Sequence, residues 1–188
     1  MTKKYQIIYA DPPWEMKGGV YEPSYPTMTS EEIAKLPVRE LGGNNCALFM
    51  WVLNSRIEDG LWIMQCWGFE FKTVAFCWVK TSQATGIPNC RVGTYTLGGI
   101  ELCLLGVRGK LKRQSLNVRQ VIMNPRLKHS RKPSKIRCDI VELYGDLPRI
   151  ELFARKEDLL FDADGFEGWD VWGNEVESDI DIHAEAKI

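Results

Sequence analysis

The sequence predicts one α/β domain built on a doubly wound, mainly parallel sheet. Short apolar runs alternate with turn signals and amphipathic stretches along the whole chain, as a layered α/β fold requires. Several of these runs, residues 47–52 above all, are continuously apolar, the pattern of strands buried on both faces. The length of 188 residues suits one domain, and 45% hydrophobic with 26% charged residues excludes disordered and fibrous classes.

Residues 6–10 form the first strand, which Pro12 and Pro13 end because proline cannot continue a central strand. A loop rich in Gly and Tyr follows, through Gly18, Gly19, Tyr21 and Tyr25. Thr29 and Glu32 stand at capping-box spacing ahead of Ile33 and Leu36, so a short helix starts there. After the strand at 47–52, Ser55 and Glu58 repeat that spacing. Ile57, Leu61 and Met64 then mark one face of a helix that Gly68 stops. Residues 71–79 and 100–107 are two further strands, and a polar, basic loop over 108–120 precedes a short strand at 121–123. Pro133 suits the first turn of a helix running to about Tyr144, with Ile136, Ile140 and Leu143 inward and Gly145 at its end. Residues 150–154 form a buried strand and 169–172 an edge strand. The domain thus spans 1–175, and the acidic residues 176–188 read as a disordered tail.

No apolar run approaches the roughly 18 residues of a membrane helix, and the N-terminus lacks a signal-peptide layout. Six cysteines at irregular spacings, without a CxxC, argue against a zinc site or a disulfide framework and for a reducing cytoplasm. The net charge of −1 hides an asymmetry. Residues 102–138 hold 11 Lys and Arg and no acid, whereas 157–188 hold 11 Asp and Glu against Lys187 alone. A solvated surface explains such a run; so does a face for a polyanion, with Lys110, Lys112 and Arg113 tracking phosphates.

The sharpest chemical feature is Asp11-Pro12-Pro13-Trp14 directly after the first strand, where ligands of open α/β sheets bind. Asp11 supplies an acceptor, the prolines leave carbonyl oxygens without competing donors, and Trp14 offers a flat ring for a base. An amino group on an aromatic ring is a poor nucleophile because its lone pair is delocalised. Two acceptors holding its N–H bonds would draw the nitrogen toward tetrahedral geometry and free that pair. An ordinary Asp-Pro turn is the competing reading. Glu101 within an apolar strand needs a partner or a function, while Phe49, Trp51, Phe76 and Trp78 belong to the sheet core.

The tetrapeptide resembles the DPPW motif of amino-group methyltransferases. Further stretches narrow the resemblance: Tyr25-Pro26-Thr27-Met28, Leu48-Phe49-Met50-Trp51-Val52, Trp78-Val79-Lys80-Thr81, Glu101-Leu102-Cys103-Leu104-Leu105-Gly106, His129-Ser130-Arg131-Lys132-Pro133, Ile150-Glu151-Leu152-Phe153-Ala154-Arg155 and Gly168-Trp169-Asp170-Val171-Trp172-Gly173-Asn174-Glu175. Over residues 6–175 the chain resembles the MT-A70 family of adenine-N6 methyltransferases, and more closely its short bacterial and bacteriophage members. The resemblance implies a Rossmann-like methyltransferase fold in permuted order, catalytic strand first and cofactor strand last. It implies S-adenosyl-L-methionine as cofactor, without a metal. Asp11, Pro12, Pro13 and Trp14 would be catalytic, with Tyr25 and Glu101 beside the target base. Lys132 would meet the cofactor carboxylate, and Phe153, Arg155, Asn174 and Glu175 would surround its ribose. The implied partner is nucleic acid, DNA ahead of RNA, in bacterial or phage-infected cytoplasm, with a second copy or a partner subunit compatible. Cytosine methylation and a non-catalytic nucleic-acid-binding subunit are the alternatives; the intact tetrapeptide speaks against the latter.

Overall fold

The computed structural model describes residues 3–15, 25–93, 95–126, 131–156 and 163–183. Strands β1 (Tyr5–Ala10), β2 (Gly42–Val52), β3 (Glu70–Thr81), β6 (Ile100–Arg108), β7 (Val121–Pro125), β8 (Arg149–Leu152) and β9 (Trp169–Trp172) form one sheet. Its spatial order is β7-β3-β6-β2-β1-β8-β9. Only β6 runs antiparallel to its neighbours, β2 and β3. The β3–β6 connection carries a small separate ribbon, β4 (Arg91–Val92) and β5 (Leu97–Gly98).

The helices sandwich this sheet, and the period-2 alternation of each strand assigns its side chains. Ile8, Ala10, Leu48 and Met50 pack with Ile33 of α1 (Ser30–Ala34), Leu41 of α2 (Val38–Leu41), and Ile63 and Met64 of α3 (Ile57–Cys66). Ile7, Tyr9, Phe49 and Trp51 face the other layer, with Ile136, Ile140 and Tyr144 of α4 (Lys135–Tyr144). Phe49, Trp51, Phe76 and Trp78 are all core, as the sequence predicts.

Thr29 and Glu32 close a reciprocal capping box at α1. The equivalent cap at Ser55 does not form. Asn54–Arg56 is instead a 3₁₀ turn, and α3 starts at Ile57 without a side-chain cap. Arg56 steadies this entry by pairing with Asp59 at 2.6 Å and donating to the Glu15 carbonyl.

The expected tail disorder is corrected over residues 176–183. The Asp179 carboxylate accepts from the Val171 N–H, and the Asp179 N–H donates back to the Val171 carbonyl. Ile182 is fully buried and Ile180 partly so, both against the first core layer. Two isoleucines outweigh the acidic average because their alternate spacing seats both on the sheet. Residues 184–188 lie outside the described residues. Among the described residues, no helix is long and apolar enough to cross a membrane.

Candidate active site

Six parallel strands finish at one edge of the sheet, and β6, because it runs the other way, starts there. Asp11 leaves β1 at this edge, Glu101 is the second residue of β6, Lys80 lies near the end of β3, and Lys132 precedes α4. These four side chains form a ladder of alternating charge. Asp11 Oδ2 accepts from Lys132 Nζ at 2.7 Å, and the same ammonium lies 3.2 Å from Glu101 Oε2. Glu101 Oε1 accepts from Lys80. Trp51 and Trp78 floor the ladder, with Lys132 Nζ 5.3 Å from one ring centroid and Lys80 Nζ 5.2 Å from the other.

Each buried charge in the ladder has compensation, as burial demands. Burial pushes the Glu101 carboxyl up, but Lys132 and Lys80 outweigh it and hold its pKa below the ordinary carboxylate value. Burial likewise works against the Lys132 cation, and Asp11 and Glu101 more than reverse this, raising its pKa. Lys132 is therefore charged throughout the neutral range.

Beside the ladder lies a cleft lined by Asp11, Pro13, Tyr25, Pro26, Phe153, Ala154, Arg155, Asn174 and Glu175. Its far wall is the open end of β8 and β9. Phe153 takes φ 64°, a backbone state unusual for a bulky residue and typical of functional sites. Its ring meets Trp172 edge-on at 5.5 Å, which holds it at the wall. The Ala154 N–H donates to the Trp172 carbonyl at 3.0 Å, and Gly173 passes so close that any Cβ would collide with the Ala154 carbonyl. Arg155 stacks 4.6 Å over the Tyr25 ring. Burial opposes its charge, but Asp11, Tyr25 and Glu175 outweigh burial and raise its pKa.

The structure thus brings Asp11, Pro13, Tyr25, Phe153, Arg155, Asn174 and Glu175 to one cleft, with Lys132 and Glu101 adjoining it through Asp11. Pro12 is buried, and its carbonyl already accepts the Trp14 N–H at 2.9 Å, leaving one lone pair. Other predicted residues stand elsewhere. Trp14, expected as an open stacking ring, is 6% exposed and packs in the core, its Nε1 donating to the Trp51 carbonyl. It anchors the tetrapeptide rather than presenting a platform.

Lys110, Lys112 and Arg113 are exposed but do not flank the site. They follow the carboxyl end of β6, and β6 is antiparallel, so they emerge at the opposite edge of the sheet. There the Lys110 N–H donates to Asn45 Oδ1, near the start of β2, and the Gln114 N–H to the Leu143 carbonyl at the end of α4. Arg137, counted in the same basic run, is interior and paired with Glu151. Lys135 pairs with Asp139. His129 and Ser130 lie outside the described residues.

Sequence reasoning passed over Lys80 as a site residue. Its signal was a lysine closing a long apolar strand, which needs an anion as much as Glu101 needs a cation.

The MT-A70 family profile matches residues 5–175. The type II methyltransferase M.MunI of a Mycoplasma species is 34% identical over 211 residues, covering 99% of this chain and 84% of that protein. The human N(6)-adenosine-methyltransferase catalytic subunit METTL3 is 30% identical over 191 residues, covering 98% of this chain but 31% of its own length. The zebrafish METTL3 subunit is 30% identical over 177 residues, 93% of this chain and 28% of that protein. This chain therefore corresponds to roughly a third of the METTL3 proteins and most of the type II enzyme. With a family match running almost from end to end, and the residues of its motifs gathered at one sheet edge, the chain belongs to the MT-A70 family.

Proposed function

We propose that this protein transfers a methyl group from S-adenosyl-L-methionine to the N6 amino group of adenine in DNA. The carrying observation is the convergence at one edge of Asp11 with Tyr25, Phe153, Arg155, Asn174 and Glu175, drawn from four separate segments. DNA as the polymer follows the type II methyltransferase, matched over 84% of its length. Adenosine as the acceptor follows the METTL3 relatives. In this reading the catalytic strand comes first and the cofactor strands last, a permuted Rossmann-like order.

The cleft suits such a cofactor chemically. Lys132 offers a cation for a carboxylate, Asn174 and Glu175 offer partners for ribose hydroxyls, and Phe153, Pro13 and Pro26 offer apolar walls. S-adenosyl-L-methionine, when bound, supplies an electrophilic methyl group. The chain supplies the rest. Asp11 Oδ2 is held by Lys132, which leaves Oδ1 to accept one N–H of the amino group. The remaining Pro12 lone pair accepts the other, and the nitrogen lone pair is released for attack. Glu101 fixes Lys132 and through it the orientation of Asp11. Positioning of this kind lowers a barrier by roughly 7–11 kcal/mol.

The test is incubation with labelled cofactor and separate DNA and RNA pools, then nucleoside analysis. The expected product is N6-methyladenine in DNA, abolished by Asp11→Ala while the mutant stays folded. Label in RNA alone would move the substrate to RNA. Nucleic-acid binding with no label transferred would mark a non-catalytic subunit.

A further inference from the structure

The residues between Lys80 and Glu101 form a protruding ribbon that the proposed catalysis does not use. β4 and β5 pair through Arg91 with Gly98 and Val92 with Leu97. Gly93 and Thr96 approach closely, and a Cβ on Gly93 would sit 2.6 Å from the Thr96 carbonyl. Between them Tyr95 is 97% exposed, and Val92 beside Gly93 is 91% exposed; Ile87 and Leu97 are exposed as well. Val92 and Leu97 stand opposite each other in the ribbon, and exposed apolar side chains at its tip call for a ligand. The segment 82–100 contains no acidic residue, and Arg91 is exposed on it.

The ribbon is rooted at the catalytic edge. The Lys80 N–H donates to the Gly99 carbonyl, and the Asn89 N–H to the Lys80 carbonyl, at 2.8 and 2.7 Å. The Ser82 N–H donates to the Ile87 carbonyl, and Asn54 Nδ2 to the Ile100 carbonyl. Both ends of the ribbon are thereby tied to Lys80, a rung of the ladder that reaches Asp11, and the ribbon returns to the sheet at Ile100, the neighbour of Glu101. From Pro88 to Tyr95 an extended chain reaches up to about 20 Å, more than the depth of either groove of B-DNA.

We propose that this ribbon enters duplex DNA and that Tyr95 fills the stack where the target adenine has left it. The proposal rests on the adenine-methyltransferase reading above. An adenine inside a duplex must be extruded to reach a pocket at the sheet edge, and the vacated step is unstable. Apolar side chains inserted at base steps are a recurrent answer. An aromatic ring at a narrow, acid-free tip suits a base stack, since every base offers a π-face. A narrow tip offers a protein partner little area to bury, whereas an acid-free segment with an exposed Arg91 meets a polyanion without repulsion.

The test compares wild type, Tyr95→Ala and Tyr95→Phe on one target sequence in three forms. These are a full duplex, the same duplex with an abasic site opposite the target, and the single strand. Tyr95→Ala should lower kcat/KM on the full duplex about 10- to 100-fold, the scale of one base–aromatic stack. It should leave the abasic duplex and the single strand within about twofold, because neither has a paired base to displace. Tyr95→Phe should restore the full duplex. Binding of S-adenosylhomocysteine should be the same for all three proteins. Equal losses on all three substrates, or no loss on any, would overturn the wedge. So would a wild type active on single strands alone. Loss of a dimer in sedimentation, with equal losses of activity, would reassign the ribbon to a contact between copies. A wild type that methylates no adenine substrate overturns the proposed function itself, and the wedge with it.

Discussion

Arg137→Met separates an interior role from a nucleic-acid role for one cation of the basic run. Arg137 is 2% exposed and Glu151 4%. The guanidinium donates from Nε and Nη2 to the two Glu151 oxygens at 2.5 and 2.8 Å, and stacks 3.8 Å from the Phe166 centroid. Glu151 lies in β8, next to the strand that Asp11 follows and one residue before the strand end at Leu152. Removing the arginine strands a carboxylate in the interior, which costs about 3–5 kcal/mol. That is a large share of the roughly 5–15 kcal/mol that holds a domain together. Met keeps most of the stem volume, so the loss should be chiefly electrostatic. With a urea dependence of about 2 kcal/mol/M, the unfolding midpoint should fall by about 2 M. Arg137→Met combined with Glu151→Leu should recover most of that fall, because a buried ion pair replaced by packed apolar groups is near neutral. The salt dependence of DNA binding should not change. An unshifted midpoint with a shallower salt slope would refute the interior reading and return Arg137 to the phosphate surface.

Glu101→Gln should destabilise the protein by about 1–3 kcal/mol at pH 7, since Lys80 and Lys132 both lose an anion. Because the folded pKa of Glu101 lies below its ordinary 4.5, its contribution is present above that value and lost as pH falls through the folded one. Urea curves of mutant and wild type should therefore converge in acid; a gap that persists there would deny the charge its role. Neutralising Lys110, Lys112 and Arg113 together should change the slope of log affinity against log salt by less than about one unit, where three phosphate contacts would remove nearly three. Fluorescence anisotropy across a salt series measures this. Ile182→Ala should cost about 2–5 kcal/mol in thermal or urea unfolding, as a deletion in a packed core does, and a disordered tail would show no change.

The strands were legible because each is a local apolar run, and every strand of the main sheet appears within a few residues of its predicted place. Of the site residues named by resemblance, Asp11, Pro12 and Pro13 follow β1, Phe153 and Arg155 follow β8, and Asn174 and Glu175 follow β9, whereas Tyr25 lies between β1 and α1 and Lys132 just before α4. What the sequence hid was direction. A count of cations along 102–138 treats Lys110 and Lys132 as neighbours, although β6 delivers the first to one edge of the sheet and the chain returns through β7 to deliver the second to the other. The cue was available in the connection. Residues 82–99 hold Pro88 and four glycines and no helical periodicity, whereas a parallel return needs a crossover, usually a helix. That connection makes strands 71–79 and 100–107 antiparallel neighbours. Glu101 then falls at the edge where Asp11 leaves β1, opposite Trp78, and Lys80 two residues further along β3 reaches it with its side chain. The lysine that closes β3 and the glutamate that opens β6 are a consequence of one another. Two charges brought to the same edge by an antiparallel pair each satisfy the burial cost of the other, and Lys132 extends that compensation to Asp11.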